Sequence, residues 1–278
     1  MVTSTETKGW FITGCSRGFG RCLAEAALAQ GQHVVATARD PLSLRDLAGP
    51  RCTVLGLDVT AADSIAGVIS EAHAALGRLD VVVNCAGYGL IGAVEECSDA
   101  QVRRNLETNY FGPLNIIRAA LPILRRQRSG HIVNFGAAAA LANYPGFGGY
   151  GAAKAALELM SESLSAELRP LGIKVTVVQP GPFRTDFIAH GLEQAAQRID
   201  DYAGTAGKFA GYLTAFDGKQ PGDPRKAAEL IVQTVLAGDA PLRLPLGKYM
   251  IKKMRDKSAA LLREAEKWSA AAGDTNGL

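Results

Sequence analysis

Residues 9–30 read GWFITGCSRGFGRCLAEAALAQ. The stretch opens on an apolar run, Gly9 to Thr13, that predicts a strand, and it closes on an alanine- and leucine-rich run to about Gln30 that predicts a helix. Between them lies a glycine turn containing Gly14, Ser16, Arg17, Gly18, Phe19 and Gly20. Glycines there permit a tight turn and let the backbone approach a pyrophosphate, whose charge is matched by the unpaired N–H groups at the helix start. Strand, glycine turn and helix, in that order, predict a dinucleotide-binding α/β unit rather than a plain connection.

Outward from this unit, short β-branched runs alternate with longer helical stretches. That is the pattern of a parallel sheet of about seven strands with helices on both faces, a doubly wound fold. A second strand, His33 to Thr37, ends in Ala38-Arg39. At this place an acid would bind a free ribose 2′-hydroxyl and an arginine a 2′-phosphate. Arg39, seconded by Arg17, therefore predicts NADP(H) over NAD(H), although Asp40 follows directly. A third strand, Thr53 to Leu57, ends at Asp58-Val59, where the aspartate can reach an adenine amino group, and Asp63 is placed to cap the next helix. A fourth, Leu79 to Val83, enters a small-residue turn, Asn84-Cys85-Ala86-Gly87, at the strand end where ligands of open α/β sheets bind. The helix from Asp99 carries Asn109, locally unfavourable in a helix interior and so either a functional post or a satisfied buried amide.

Residues 131–154, HIVNFGAAAALANYPGFGGYGAAK, run from a strand through a small-residue loop into a helix that opens with Tyr150 and Lys154. Four residues of separation place the two side chains on one helix face. A lysine ammonium there favours tyrosinate and is expected to lower a phenol pKa from about 10 toward the range of a proton donor and acceptor. The helix continues to about Arg169, and a further strand spans Lys174 to Gln179. Between 183 and 216 six aromatics fall in 34 positions: Phe183, Phe187, Tyr202, Phe209, Tyr212 and Phe216. Residues 183–223 are read as a lid over an apolar pocket, with simple packing of a helical subdomain as the competing reading.

The 278 residues include no linker or charge block and are read as one domain, with 47% hydrophobic and 21% charged residues. A net charge of +3 and a basic run at 125–128 suited to a helix C-terminus argue against nucleic acid. Neither a signal peptide nor a membrane span is apparent. Five cysteines without paired spacing and four scattered histidines predict reduced thiols, a cytoplasmic setting and no metal site. A helix at 224–237 and a strand near 242–244 precede a charged helix from about Lys248 to Trp268, read as a solvated face rather than a membrane-binding one. Residues 248–278 thus form a C-terminal helix and tail, frayed from Ala271.

Five ordered motifs resemble the short-chain dehydrogenases/reductases over about residues 8–240: TGCSRGFG at 13–20, Asp58, NCAG at 84–87, Asn109, and Tyr150 with Lys154, followed by Pro180-Gly181. The resemblance implies a Rossmann-type sheet, a nicotinamide cofactor and a homodimer or homotetramer. It implies that Tyr150 donates and accepts the proton, that Lys154 lowers its pKa and binds the nicotinamide ribose, that Asn109 holds a relay water, and that Thr185 meets the carboxamide. Tyr88, Leu90, Tyr144 and Phe147 would fall with Phe183 and Phe187 near the mouth of the site, implying a hydrophobic ketone or secondary alcohol. The family carries a serine thirteen residues before the tyrosine, and here that residue is Ala137. Loss of one such donor costs on the order of a hundredfold to a thousandfold in turnover. The reading is therefore an impaired reductase, natural or made by substitution; the alternative is an NADP-binding scaffold with a regulatory role, or a catalyst of cyclisation or epimerisation using Tyr150.

Overall fold

The computed structural model describes residues 7–275. Seven parallel strands form the central sheet: β1 (Gly9–Ile12), β2 (His33–Ala38), β3 (Cys52–Gly56), β4 (Val81–Asn84), β6 (Gly130–Phe135), β7 (Ile173–Pro180) and β9 (Arg243–Leu246). Their order across the sheet is β3-β2-β1-β4-β6-β7-β9. The winding reverses between β1 and β4, so the carboxyl ends of those strands frame a crevice. This is the doubly wound fold expected from the alternating pattern, and the Rossmann-type sheet that the resemblance implies.

Strand alternation decides which side chain meets which helix layer. In β1, Trp10 and Ile12 pack with Leu23, Ala24 and Ala27 of α1 (Gly18–Ala29) and with Ile231 and Val235 of α9 (Pro224–Ala237). Phe11 points the other way, to Ile65 and Ile69 of α2 (Ala62–Leu76), Ile116 and Ile117 of α4 (Gly112–Gln127) and Leu164 of α6 (Gly148–Leu168). All three side chains of β1 are fully buried. Truncating one of them, Phe11→Ala, would cost about 3–5 kcal/mol.

Over the sheet's carboxyl edge lies a smaller layer. Strands β5 (Gly89–Ile91) and β8 (Leu192–Gln194) pair in parallel, flanked by α3 (Asp99–Leu106), α7 (Phe187–His190) and α8 (Lys208–Phe216). A short helix, α5 (Ala138–Leu141), interrupts what the sequence suggested was plain loop. Helix α2 begins at Ala62 after Ala61, so Asp63 stands in its first turn and makes no capping bond; it can only complement the dipole. The last helix, α10 (Gly247–Gly273), runs past the expected fraying point at Ala271, because alanines at 270–272 sustain it; residues 276–278 lie outside the described range. No described helix is long and apolar enough to cross a membrane.

Candidate active site

The crevice opens into one cavity of about 1080 Å³ reaching from the glycine turn to the aromatic segment. On its first side, α1 starts after Arg17 with no side-chain cap, leaving its first N–H groups for another acceptor. Gly14, at φ +73°, would carry a Cβ only 2.8 Å from Ala86 Cα, so the β1 and β4 turns touch there. Thr13 Oγ1 ties them together by accepting from the N–H groups of Cys85 and Ala86, each at 3.0 Å. Ser16, Arg17, Gly18, Phe19, Arg39, Asp58, Val59, Ala86, Gly87, Pro180, Gly181 and Thr185 all line the cavity. Arg17 also donates to the His190 carbonyl at 2.8 Å, joining the glycine turn to α7.

The acidic alternative to Arg39 is occupied elsewhere: Asp40 accepts from Leu42 N–H at 3.0 Å and starts a short 3₁₀ turn. Asp58 accepts from Thr60 N–H and Oγ1 at 2.9 and 2.7 Å, which holds its carboxyl below the usual range. Two expected cofactor contacts do not reach the cavity. Asn84 is buried and donates to Asn134 Oδ1 at 2.8 Å, fastening β4 to β6. Gly20 lies against the Gly14 carbonyl, where a Cβ would come within 2.3 Å.

Tyr150 and Lys154 occupy the first two turns of α6 and are both buried against the cavity wall. Lys154 Nζ donates to the Phe135 carbonyl at 2.8 Å, and burial pushes its pKa down to about 8. The expected lowering of the Tyr150 pKa is not found. Burial raises it, and the carboxylate of Glu158 on the same helix face raises it further. The ammonium is aimed at a backbone carbonyl, and desolvation of the phenolate is the leading cause of the shift.

Asn109 sits in a π-helical turn (Glu107–Phe111) between α3 and α4. Its Nδ2 donates to the carbonyls of Tyr88 (2.8 Å) and Asn105 (3.0 Å), while its buried Oδ1 has no partner. A Cβ on Gly87 would lie 2.6 Å from that Oδ1 and 3.4 Å from Lys154 Nζ. Glycine there leaves a small polar cradle between amide and ammonium, sized for a hydroxyl or water. Ala137 is extended and buried in one cluster with Tyr150 and Phe147, and presents only a methyl group to the cavity.

The far wall is aromatic. Phe147 packs edge-on to Tyr150 with centroids 5.2 Å apart, and Phe187 lies tilted 5.7 Å from the same ring. Tyr144 stacks on Phe209 at 5.0 Å, and Phe209 and Phe216 flank Tyr212. Tyr88, Tyr144, Phe147 and Phe187 line the cavity as expected, but Leu90 is core and Tyr202 is turned away to Glu95. Phe183 lines the cavity from the cofactor side, where it packs edge-on to Phe19 at 5.1 Å; it stands apart from the rings around Tyr150.

Three participants were not anticipated from sequence. Glu158, one helical turn beyond Lys154, accepts from Ala137 N–H at 3.3 Å and Gln179 Nε2 at 2.6 Å. Its signal was legible: an acid four residues after Lys154 on an apolar stripe. Gln179 closes the same network from β7. Tyr249, at the start of α10, lines the cavity and shares a 2.6 Å hydrogen bond with Tyr144 Oη, a long-range meeting that no local pattern announces. Among the described residues no cluster of His, Cys, Asp or Glu is suited to a metal ion.

Comparison with known proteins agrees with this geometry. Residues 8–195 match the short chain dehydrogenase family. An oxidoreductase of Botryotinia fuckeliana is 36% identical over 266 residues, spanning 94% of this chain and 97% of the relative. A short-chain dehydrogenase structure from Streptomyces avermitilis superposes with a TM-score of 0.91 at 37% identity, covering 98% of this chain and 100% of that one. One from Burkholderia cenocepacia, in complex with NADP, gives a TM-score of 0.75 at 25% identity, covering 95% and 98%. With its parallel sheet, uncapped glycine turn and Tyr150–Lys154 pair, the chain belongs to the short-chain dehydrogenase/reductase family of oxidoreductases.

Proposed function

We propose that the protein is an NADP(H)-dependent oxidoreductase interconverting a hydrophobic ketone and its secondary alcohol, slowed by the absence of a hydroxyl at Ala137. The observation that carries this reading is the single cavity joining a glycine turn, a buried tyrosine–lysine pair and an aromatic wall. The uncapped start of α1 fits a pyrophosphate, and Arg39, with Asp40 engaged in its own turn, fits a 2′-phosphate. Solved structures of the same fold hold NAD in one case and NADP in another, so the choice of NADP rests on Arg39.

When bound, the nicotinamide ring supplies or accepts the hydride. The chain's own residues do the rest. Tyr150 Oη donates the proton to the ketone oxygen in reduction and takes it back in oxidation. Lys154 Nζ and Asn109 Oδ1 border the cradle beside Gly87, which would hold a hydroxyl or a water within reach of both groups. The rings of Phe147, Phe187 and Phe209 exclude water and orient an apolar substrate, and residues 183–223 act as the lid. Ala137 cannot donate to the ketone oxygen, so Tyr150 alone must hold it.

Ala137 also favours a second reading, in which Tyr150 serves as acid and base in a cyclisation or epimerisation without net redox change. The test is NADPH and NADH consumption across aryl and alkyl ketones of increasing size. The proposal expects turnover with NADPH and a KM that falls as apolar area grows; NADPH binding without consumption on any ketone would transfer support to the second reading.

A further inference from the structure

Helix α10 outruns the body of the protein. Its first two turns are anchored: Met250 is buried, Tyr249 bonds to Tyr144, and Lys253 Nζ lies 3.5 Å from the centroid of the Tyr144 ring. Beyond Ala260 every described residue of the helix is exposed, and the side-chain hydrogen bonds from Asp256 onward are made within the helix. Yet the exposed surface is not uniformly polar. Ile251, Met254, Ser258, Leu261, Ala265 and Trp268 follow one another at spacings of three and four residues, a seam sustained over about two and a half heptads. Leu261 and Trp268 on it are 49% and 60% exposed. A polar-faced solvent helix has no use for such a seam.

We propose that this seam is an interaction surface for a second copy of the chain, the two α10 helices pairing antiparallel about a two-fold axis beside Ala259 and Ala260. In that register Ile251 meets the partner's Trp268, Met254 the partner's Ala265, and Ser258 the partner's Leu261. Large residues thereby face small ones in the inner layers. Lys257 faces the partner's Glu264, and symmetry repeats the pair. Arg255 on the other flank lays its alkyl stem across the partner's Leu262, itself 64% exposed. A parallel pairing would set Lys257 against Leu262 and leave Glu264 without a cation.

A bilayer is the competing occupant, and the flanks argue against it. Asp256, Glu264 and Glu266 are interleaved with the cations of the polar face, and the apolar arc is a narrow seam instead of a broad insertion surface. Pairing would also fix the helix that carries Tyr249, and so one wall of the cavity.

The test is sedimentation velocity of the full chain from 1 to 100 µM, as wild type and as Leu261→Glu, Lys257→Glu, Glu264→Lys and the double charge exchange. The expected wild-type particle has twice the mass of L261E. Each single charge reversal weakens association roughly three- to thirtyfold, and the exchange of both restores it. Glu264 is exposed and Lys257 half-exposed, both outside the core, so the charge variants keep the proposal testable should L261E disturb folding. A wild-type mass unchanged by L261E, an exchange no better than the single reversals, or L261E-sensitive binding to vesicles of phosphatidylserine and phosphatidylcholine without any change in mass would each overturn it.

Discussion

The two halves of the cavity are built by different means. The cofactor half is made mostly of backbone: turns after β1, β4 and β7, an uncapped helix start, and glycines placed where a Cβ would strike a neighbour, with the Arg39 and Asp58 side chains at its far end. The substrate half is made of side chains: rings from residues 144–150 and 187–216 stack and tilt against one another, Tyr249 joins them through its hydroxyl, and Tyr88 lines the same cavity. Backbone can bind one ligand class for any sequence that keeps its glycines, whereas a wall of rings changes with each substitution. Under the proposed function, the first half would hold the cofactor and the second would select the ketone.

Substitutions can break this division, and the largest effect belongs where the halves meet. Replacing Tyr150 by Phe keeps the ring contacts with Phe147 and Phe187 but removes the proton donor. Turnover should fall on the order of a thousandfold while NADPH affinity, read by fluorescence titration, holds within a few fold. An equal loss of both would mean that the tyrosine belongs to the cofactor half alone. Next in size, Arg39→Ser should lower kcat/KM with NADPH about ten- to a hundredfold and leave NADH and the ketone KM nearly unmoved. A changed ketone preference in that variant would erase the division.

The pH dependence sharpens the seam. With Lys154 held down to about 8 by burial, kcat/KM for reduction should fall about tenfold per pH unit above that value as the ammonium is lost. Stability moves the opposite way. A lysine whose folded pKa lies below its unfolded value favours the folded chain when neutral, so stability is gained between about 8 and 10.5 and fully present above 10.5. The gain is on the order of 3 kcal/mol. Denaturant melts of Lys154→Met across that range should lack the rise; a rise that persists would assign it to another group. The smallest effect is at Tyr249→Phe, which removes the hydrogen bond to Tyr144 while keeping the ring. A two- to fivefold rise in ketone KM is expected, with kcat and NADPH affinity unchanged.

The same division governs what the sequence revealed. The fold class follows from the alternation of strands and helices and from the glycine turn at 14–20, both local patterns, whereas the strand order comes from the structure; Tyr150, Lys154 and Arg39 all line the cavity. Asn84 and Gly20 fit ligand contacts by residue type, but in the structure Asn84 fastens β4 to β6 by a hydrogen bond and Gly20 seats α1 against the Gly14 carbonyl, a distinction that spacing alone does not make. The lowered phenol pKa was misjudged because a helix face tells which charges are near and not which are buried: Lys154 turned to the Phe135 carbonyl, and Glu158 came within reach. Tyr249 joins Tyr144 across 105 residues, and only the tertiary fold brings them together.

The most direct test of the account is the position where backbone and rings converge. Ala137→Ser returns a hydroxyl beside Tyr150, and NADPH consumption over apolar ketones can be followed for wild type, A137S and the A137S/Y150F pair. The account predicts a rise in kcat on the order of a hundredfold with serine, lost again when Tyr150 becomes phenylalanine. NADPH binding with no gain from serine on any ketone would contradict it.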